Sequence, residues 1–181
     1  VAGEKQKLLR AAQRRALGLL AAAELARDTS STLELDDLLK RFVNSLRDRF
    51  GFYHVSLFLM DEKGSNAVVR EATGEAGREM REKSHKITVG SRTIVGNVTQ
   101  RGSSVVVNDV KTSPLYAPNP LLPEARSEIA LPLKVGKTII GVLDIQSNNR
   151  NAFSQDDVTV LQILADQISI AIENARAYEL S

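Results

Sequence analysis

Apolar residues along this chain follow two different periods, and the switches between them mark out the elements. Between residues 4 and 28, Leu9, Ala12, Ala16, Leu19, Ala23 and Ala26 recur at alternating intervals of three and four, the a/d spacing of a coiled-coil helix. Lys5, Lys7, Arg10, Arg14, Arg15 and Glu24 occupy its other faces. Alanine at four of the six seam positions lets helices approach closely but buries little area, so such a coil is weak alone. Asp28 to Thr32 then breaks the helix, because short polar side chains compete for backbone hydrogen bonds. Ser31 with Glu34 predicts a capping box for a second helix. Leu35, Leu38, Leu39, Phe42, Val43 and Leu46 form its single apolar face, and Gly51 is its natural stop.

Beyond Gly51 the period falls to two. Val55, Leu57 and Leu59 alternate with Ser56, Phe58 and Met60, which predicts a strand buried on both faces. A polar turn over residues 61–66 and a returning strand over 67–73 complete a hairpin. The stretch from Gly74 to Ser84 reads as charged and irregular, and residues 85–89 as a further strand. A short helix is predicted from about Thr93 to Gln100, ended by Gly102, followed by a strand over 104–107. A last hairpin joins residues 127–134 to 137–146 around Val135-Gly136. Ser154 then opens a long helix to about Glu179, in which Leu161, Leu164, Ile168, Ala171, Ala175 and Tyr178 form a second heptad seam. Val160, Ile163 and Ile170 lie on another apolar face. Two terminal helices with heptad seams predict a helical bundle at a two-fold axis; the alternative is that both seams cover one sheet face within a monomer.

The segment from Asn108 to Arg126 obeys neither period. Pro114, Pro118, Pro120 and Pro123, four of the chain's five prolines, are interleaved with Leu115, Tyr116, Leu121 and Leu122. Such a run sustains neither a helix nor a central strand. Its apolar residues need cover, which a lid closing over a pocket or a rigid loop tucked onto the domain would each supply.

Composition narrows the chemistry. The chain has 181 residues and no cysteine, which excludes disulfides, thiolate metal sites, cysteine nucleophiles and thioether-linked cofactors. That fits a cytoplasmic setting. A net charge of +2 over this length is no clustered basic face of the kind nucleic acid requires. No apolar run approaches the ~20 residues that span a bilayer, and the start shows no secretory signal pattern. Beginning Val1-Ala2-Gly3, the chain reads as a fragment of a longer protein. His54 and His85 lie on predicted strands without a His, Cys or carboxylate at ligand spacing, so both read as ordinary strand residues and no metal is expected. No phosphate loop, Ser-His-Asp order or paired-carboxylate site stands out, and no catalytic residue is assigned.

Several segments, in order, resemble the GAF family over roughly residues 31–179. Gly90 to Val98 is similar to the family's G-x-x-x-I-x-G-x-V helix start. Val105 to Val110, with Tyr116 following, resembles its strand and Asp-Val loop. Ser127 to Leu133 and Ile140 to Ile145 resemble its core hairpin, and Phe153 to Asp157 leading to Ala165 to Ile168 and Ala171 to Ala175 closes the match.

The resemblance implies an α+β sandwich. A central antiparallel sheet of five to six strands would carry long terminal helices on one face and short helices and loops on the other. Residues 1–30 would form a signalling helix and residues 31–179 the domain. Such domains serve histidine kinases, cyclases, phosphodiesterases, phytochromes and transcription activators, usually as dimers. Some bind cyclic nucleotides, tetrapyrroles, haem or small metabolites, and others have no known ligand.

By position in the family pattern, Ser56, Phe58, Ala72, Thr73, Ile94, Val95, Tyr116, Ser127 and Glu128 would face a ligand pocket. For Phe58, Ile94 and Val95, membership of the sheet's second core face is an equal reading. The cofactor, if any, stays unknown. The cyclic-nucleotide signature is incomplete: Val158 replaces its Glu, and Gln146-Ser147 stands at its Asn-Lys. Helix capping by Ser154 and Asp157, with Phe153 stapling to Val158, explains that segment without a nucleotide. The GAF-fold reductases of free methionine sulfoxide depend on cysteine, so an enzyme is not expected. A small-molecule sensor feeding an output domain such as a kinase, and a ligand-free dimerising coupler, remain the two readings.

Overall fold

The computed structural model describes residues 3–8, 10 and 32–180, with side chains described from 35 to 177 in the second span. Residues 3–8 are helical. The Leu9-to-Ala26 seam and the Ser31 cap lie outside the described residues. Next come α1 (Thr32–Phe50), β1 (His54–Met60), β2 (Asn66–Ala72), α2 (Gly74–Glu82), β3 (Lys86–Thr88), α3 (Ile94–Arg101) and β4 (Val105–Val107). A 3-10 turn (Val110–Thr112), β5 (Ser127–Val135), β6 (Thr138–Ser147) and α4 (Gln155–Leu180) complete the chain.

The strands form one antiparallel sheet in the order β3-β2-β1-β6-β5-β4. Period-two alternation sends each central strand's side chains to opposite faces. One face, with Val55, Leu57, Leu59, Ile129, Leu131, Leu133, Leu143 and Ile145, packs under α1 and α4. The apolar face read for α1 is buried throughout, and Gly51 leaves the helix with φ 74°, a conformation that costs glycine little. This is the expected α+β sandwich, with both long helices on one face.

At α4 the capping box is reciprocal. Ser154 N–H donates to Asp157 Oδ2 at 2.8 Å, and Asp157 N–H donates to Ser154 Oγ at 3.2 Å. The seam running from Leu161 to Ala175 is spent on the chain's own core, at 0–6% exposure. The face left open is the other one: Ile163 and Ile170 are 40% and 49% exposed. Gln6 and Lys5 reach the start of this helix, contacting Asp156 at 3.4 Å and Asp157 at 3.7 Å.

One element departs from expectation. Residues 74–82 are not irregular but helical. The apolar stripe of α2 is short, with only Gly77 and Met80 buried, while Arg78 pairs with Glu75 and Glu82 on the outer face. Two glycines and dense charge hide that stripe from a periodicity search. Gly77 lets the helix lie directly on the end of β2, where a Cβ would come within 2.3 Å of the Ala72 carbonyl.

Candidate functional site

The sheet's other face is where polar groups enter the interior. In β1, Phe58 and Ser56 point there; in β6, Val142, Asp144 and Gln146; in β5, Glu128 and Ala130. The register aligns these residues in rows, with Ser56 opposite Asp144 and Asp144 opposite Ala130, then Gln146 opposite Glu128. The apolar members join Met80, Ile94, Val95, Val98, Val105 and Val107 in a second core, which the loop side chains Leu115, Tyr116 and Leu121 flank. The remainder floors a cavity of about 540 Å³, within the range of small-molecule sites.

Four pieces wall this cavity. The end of α2 and the segment into β3 give Met80, Lys83, His85, Lys86, Ile87 and Thr88. The start of α3 gives Ser91, Thr93, Ile94 and Val95, and the proline loop closes over with residues 117–121. Thr93 caps α3 by accepting from Gly96 N–H at 2.9 Å, and Gly102 ends that helix at φ 73°. The loop is tied at both ends. Val110 N–H donates to Arg126 O at 2.9 Å, and Arg126 N–H donates to Ser147 O at 2.8 Å. Its tip is held locally, where Asn119 accepts from Leu121 N–H through Oδ1 and from Leu122 N–H through its carbonyl, both at 2.9 Å.

Electrostatically the floor is unusual. Ser56, Glu128, Asp144 and Gln146 are all buried. Ser56 Oγ, Asp144 Oδ1 and Gln146 Oε1 have no hydrogen-bond partner among the described residues. Gln146 Nε2 does donate to Asp144 Oδ2, at 3.2 Å. Burial raises the Glu128 carboxyl well above the ordinary range, and its neighbour Asp144 adds to the rise. Burial likewise raises Asp144, opposed by hydrogen bonds from Glu128 and Gln146. His85, tilted against Phe58 at 6.1 Å between rings, is held below its usual value mainly by burial.

Of the residues expected in a pocket, Ser56, Phe58, Ile94, Val95 and Glu128 line this cavity. Ala72, Thr73, Ser127 and Tyr116 do not. Ala72 lies beneath Gly77 of α2, the helix missed in the sequence. Thr73 Oγ1 accepts from Val55 N–H at 3.0 Å, and Ser127 Oγ donates to Asn149 O at 2.6 Å, so both hydroxyls serve the backbone. Tyr116 packs as a half-buried residue beside the second core. Conversely, Asp144, Gln146 and His85 line the cavity although the sequence reading left them out. The signal for Asp144 and Gln146 was present: two polar residues at alternate positions of a strand that is apolar from Ile139 to Leu143.

A family model described as the GAF domain matches residues 32–173. The chain belongs to the GAF domain family. GAF domains are regulatory sensor modules of signalling proteins. A curated relative, GAF domain-containing protein A of Dictyostelium discoideum, is 29% identical over 121 residues, spanning 66% of this chain and 70% of that one. Among solved structures, the GAF domain of a phosphoenolpyruvate-protein phosphotransferase from Coxiella burnetii superposes with TM-score 0.76 at 20% identity, covering 93% of this chain and 99% of the other. The free methionine-R-sulfoxide reductase of Neisseria meningitidis, solved with its substrate, superposes with TM-score 0.72 at 24% identity, covering 92% and 93%. Likeness at these identities shows a shared fold. Among the described residues of this GAF domain, no helix is long and apolar enough to cross a membrane, and no cluster of three His, Cys, Asp or Glu could hold a metal ion.

Proposed function

We propose that this GAF domain is a cytoplasmic sensor that binds a small molecule in the cavity beneath the proline loop. On this reading it relays occupancy through its terminal helices, as a homodimer, to an output domain of the same polypeptide. A kinase of a two-component system or a cyclase is the kind of output meant, and residues 1–30 act as the incoming signalling helix. The module is regulatory and does no chemistry of its own.

The observation carrying this reading is the floor of the cavity. Three buried polar atoms, on the lining residues Ser56, Asp144 and Gln146, lack a partner among the described residues. A buried acceptor left unmade costs about 1–3 kcal/mol, so three of them are affordable where a ligand or water completes the bonding. A coupler with no ligand has no use for such a floor, and apolar side chains would stabilise it better.

Melting temperature across a metabolite and nucleotide library tests the proposal. A ligand that binds only the folded state adds RT ln(1 + [L]/Kd), or about 2.7 kcal/mol at a hundredfold excess over Kd. For a domain of this size that is a rise of roughly 5–10 °C. The rise should vanish in Val95→Trp, whose side chain fills the cavity. If no compound moves the melting temperature of the parent chain, the coupler reading replaces the sensor.

A further inference from the structure

Both ends of the proline loop are fastened to one short segment, residues 147–153, which carries the chain from β6 to α4. At the loop's far end, Arg126 N–H donates to Ser147 O at 2.8 Å, and the adjoining Ser127 Oγ donates to Asn149 O at 2.6 Å. At its near end stands Asn108, the residue after β4, whose carbonyl accepts from Asn151 N–H at 2.8 Å. The Asn108 side chain then takes both backbone groups of Phe153: Nδ2 donates to Phe153 O and Oδ1 accepts from Phe153 N–H, each at 3.3 Å. A carboxamide carries an acceptor and a donor side by side, so it pairs with a backbone much as a strand would; aspartate lacks the donor and alanine lacks both. Asp109 adds an ion pair to Arg150 at 3.9 Å.

What Asn108 holds is the entry to α4. Phe153 is buried in the helical-side core, its ring 5.7 Å from that of Phe52. The next residue, Ser154, is the cap: its Oγ accepts from Asp157 N–H at 3.2 Å and its carbonyl from Val158 N–H at 3.0 Å. The cavity and α4 lie on opposite faces of the sheet, whose close-packed strands yield little to a displacement on one side. The 147–153 segment passes round the sheet instead. Its shape is set locally, with Ser147 Oγ accepting from Asn149 N–H at 3.1 Å and Asn151 at φ 57°, a conformation that asparagine tolerates. Asn108 thus joins the loop's root directly to the first turn of α4.

Resting on the reading that the loop closes over a ligand, we propose that Asn108 is the joint through which the loop's position reaches α4. It is a positioning residue and does not line the cavity. With the carboxamide in place, the loop's root and the α4 cap open together; without it, the loop loosens while Phe153 stays seated in its core. The same joint reaches the incoming segment, since Lys5 meets α4 at Asp157, the residue that closes the capping box.

Native-state amide hydrogen exchange in four chains tests this: the parent, Leu122→Ala, Asn108→Ala and the double variant, with thermal melts confirming that each folds. Leu122 is the loop's buried leucine, so its truncation loosens the loop without touching α4. In the parent background Leu122→Ala should speed exchange of the Asp157 and Val158 amides about three- to tenfold, and in the Asn108→Ala background by less than about twofold. Amides of α1 should be unmoved by Leu122→Ala in both backgrounds. Where Asn108→Ala does not fold, Asn108→Asp, which keeps the acceptor and loses the donor, replaces it in the cycle, and the response should fall at least by half. An undiminished response without the carboxamide overturns the proposal, as does no response in the parent background or an equal acceleration in α1, which is global loosening. The cycle uses no ligand, so the two readings fail separately. A failed cycle removes the joint and leaves the cavity as a ligand site; a blank library screen beside a successful cycle leaves a coupler whose loop is linked to α4.

Discussion

His54 shows at the scale of one residue how this sheet handles polar groups. It is 1% exposed, its Nε2 lacks a partner, and burial followed by Arg47 holds it down to about 4 from 6.5. A histidine whose folded value is depressed contributes stability that is present above 6.5 and lost as pH falls through its folded value. Between about pH 7 and pH 5 the parent chain should therefore lose about 2 kcal/mol more than His54→Gln, measured by denaturant unfolding of both. An imidazole titration by NMR with a midpoint near 6.5 would contradict this. Reading His54 as a plain strand residue agrees with its burial. Strand alternation alone does not reveal that His85, only a residue before β3, looks into the cavity instead. That depends on α2 and the loop arriving beside it from elsewhere in the chain.

Elements were legible where one face is long and apolar. α1, α4 and the central strands each carry several core positions at a single period, so local pattern and tertiary burial agree. α2 carries just two, and one of them is a glycine fitted against β2, a fact of tertiary contact. A counterintuitive outcome follows for Gly77→Ala. Alanine favours helix over glycine by up to about 1 kcal/mol. Here, however, the added Cβ would sit 2.3 Å from both the carbonyl carbon and oxygen of Ala72 and 2.9 Å from its Cβ. Overpacking against backbone costs about 1–3 kcal/mol, so the variant should be net destabilised in urea unfolding. A gain in stability would mean that α2 does not press on β2 in this way. The same contact separates the expected pocket residues: Ala72 and Thr73 lie under α2 or bond to β1, whereas Ser56 and Glu128 lie on central strands whose alternation is visible in the sequence.

In the whole molecule, the two faces of the sheet divide the labour. The helical side is mainly apolar, with Arg70 of β2 paired to Asp36 of α1, and holds the domain together, while the opposite side combines a core with a polar-floored cavity. α4 covers the first face and leaves Ile163 and Ile170, seven residues apart, on its outer side. That spacing is a heptad, and the proposed dimer would use it. Ile163→Glu with Ile170→Glu should yield a monomer by sedimentation at concentrations where the parent chain is dimeric, with stability changed by no more than about 0.5 kcal/mol per exposed site. A parent chain that sediments as a monomer throughout would remove the dimer from the account.

The central claim is that a small molecule occupies the cavity and closes the proline loop over it. Amide hydrogen exchange over residues 108–126, with and without the compound that raises the melting temperature most, addresses this directly. The account predicts slower exchange at the 117–121 tip and at the start of α3 when the compound is bound, accompanied by a change in α4. Identical exchange of the loop in both states would place that compound elsewhere on the domain and contradict the claim.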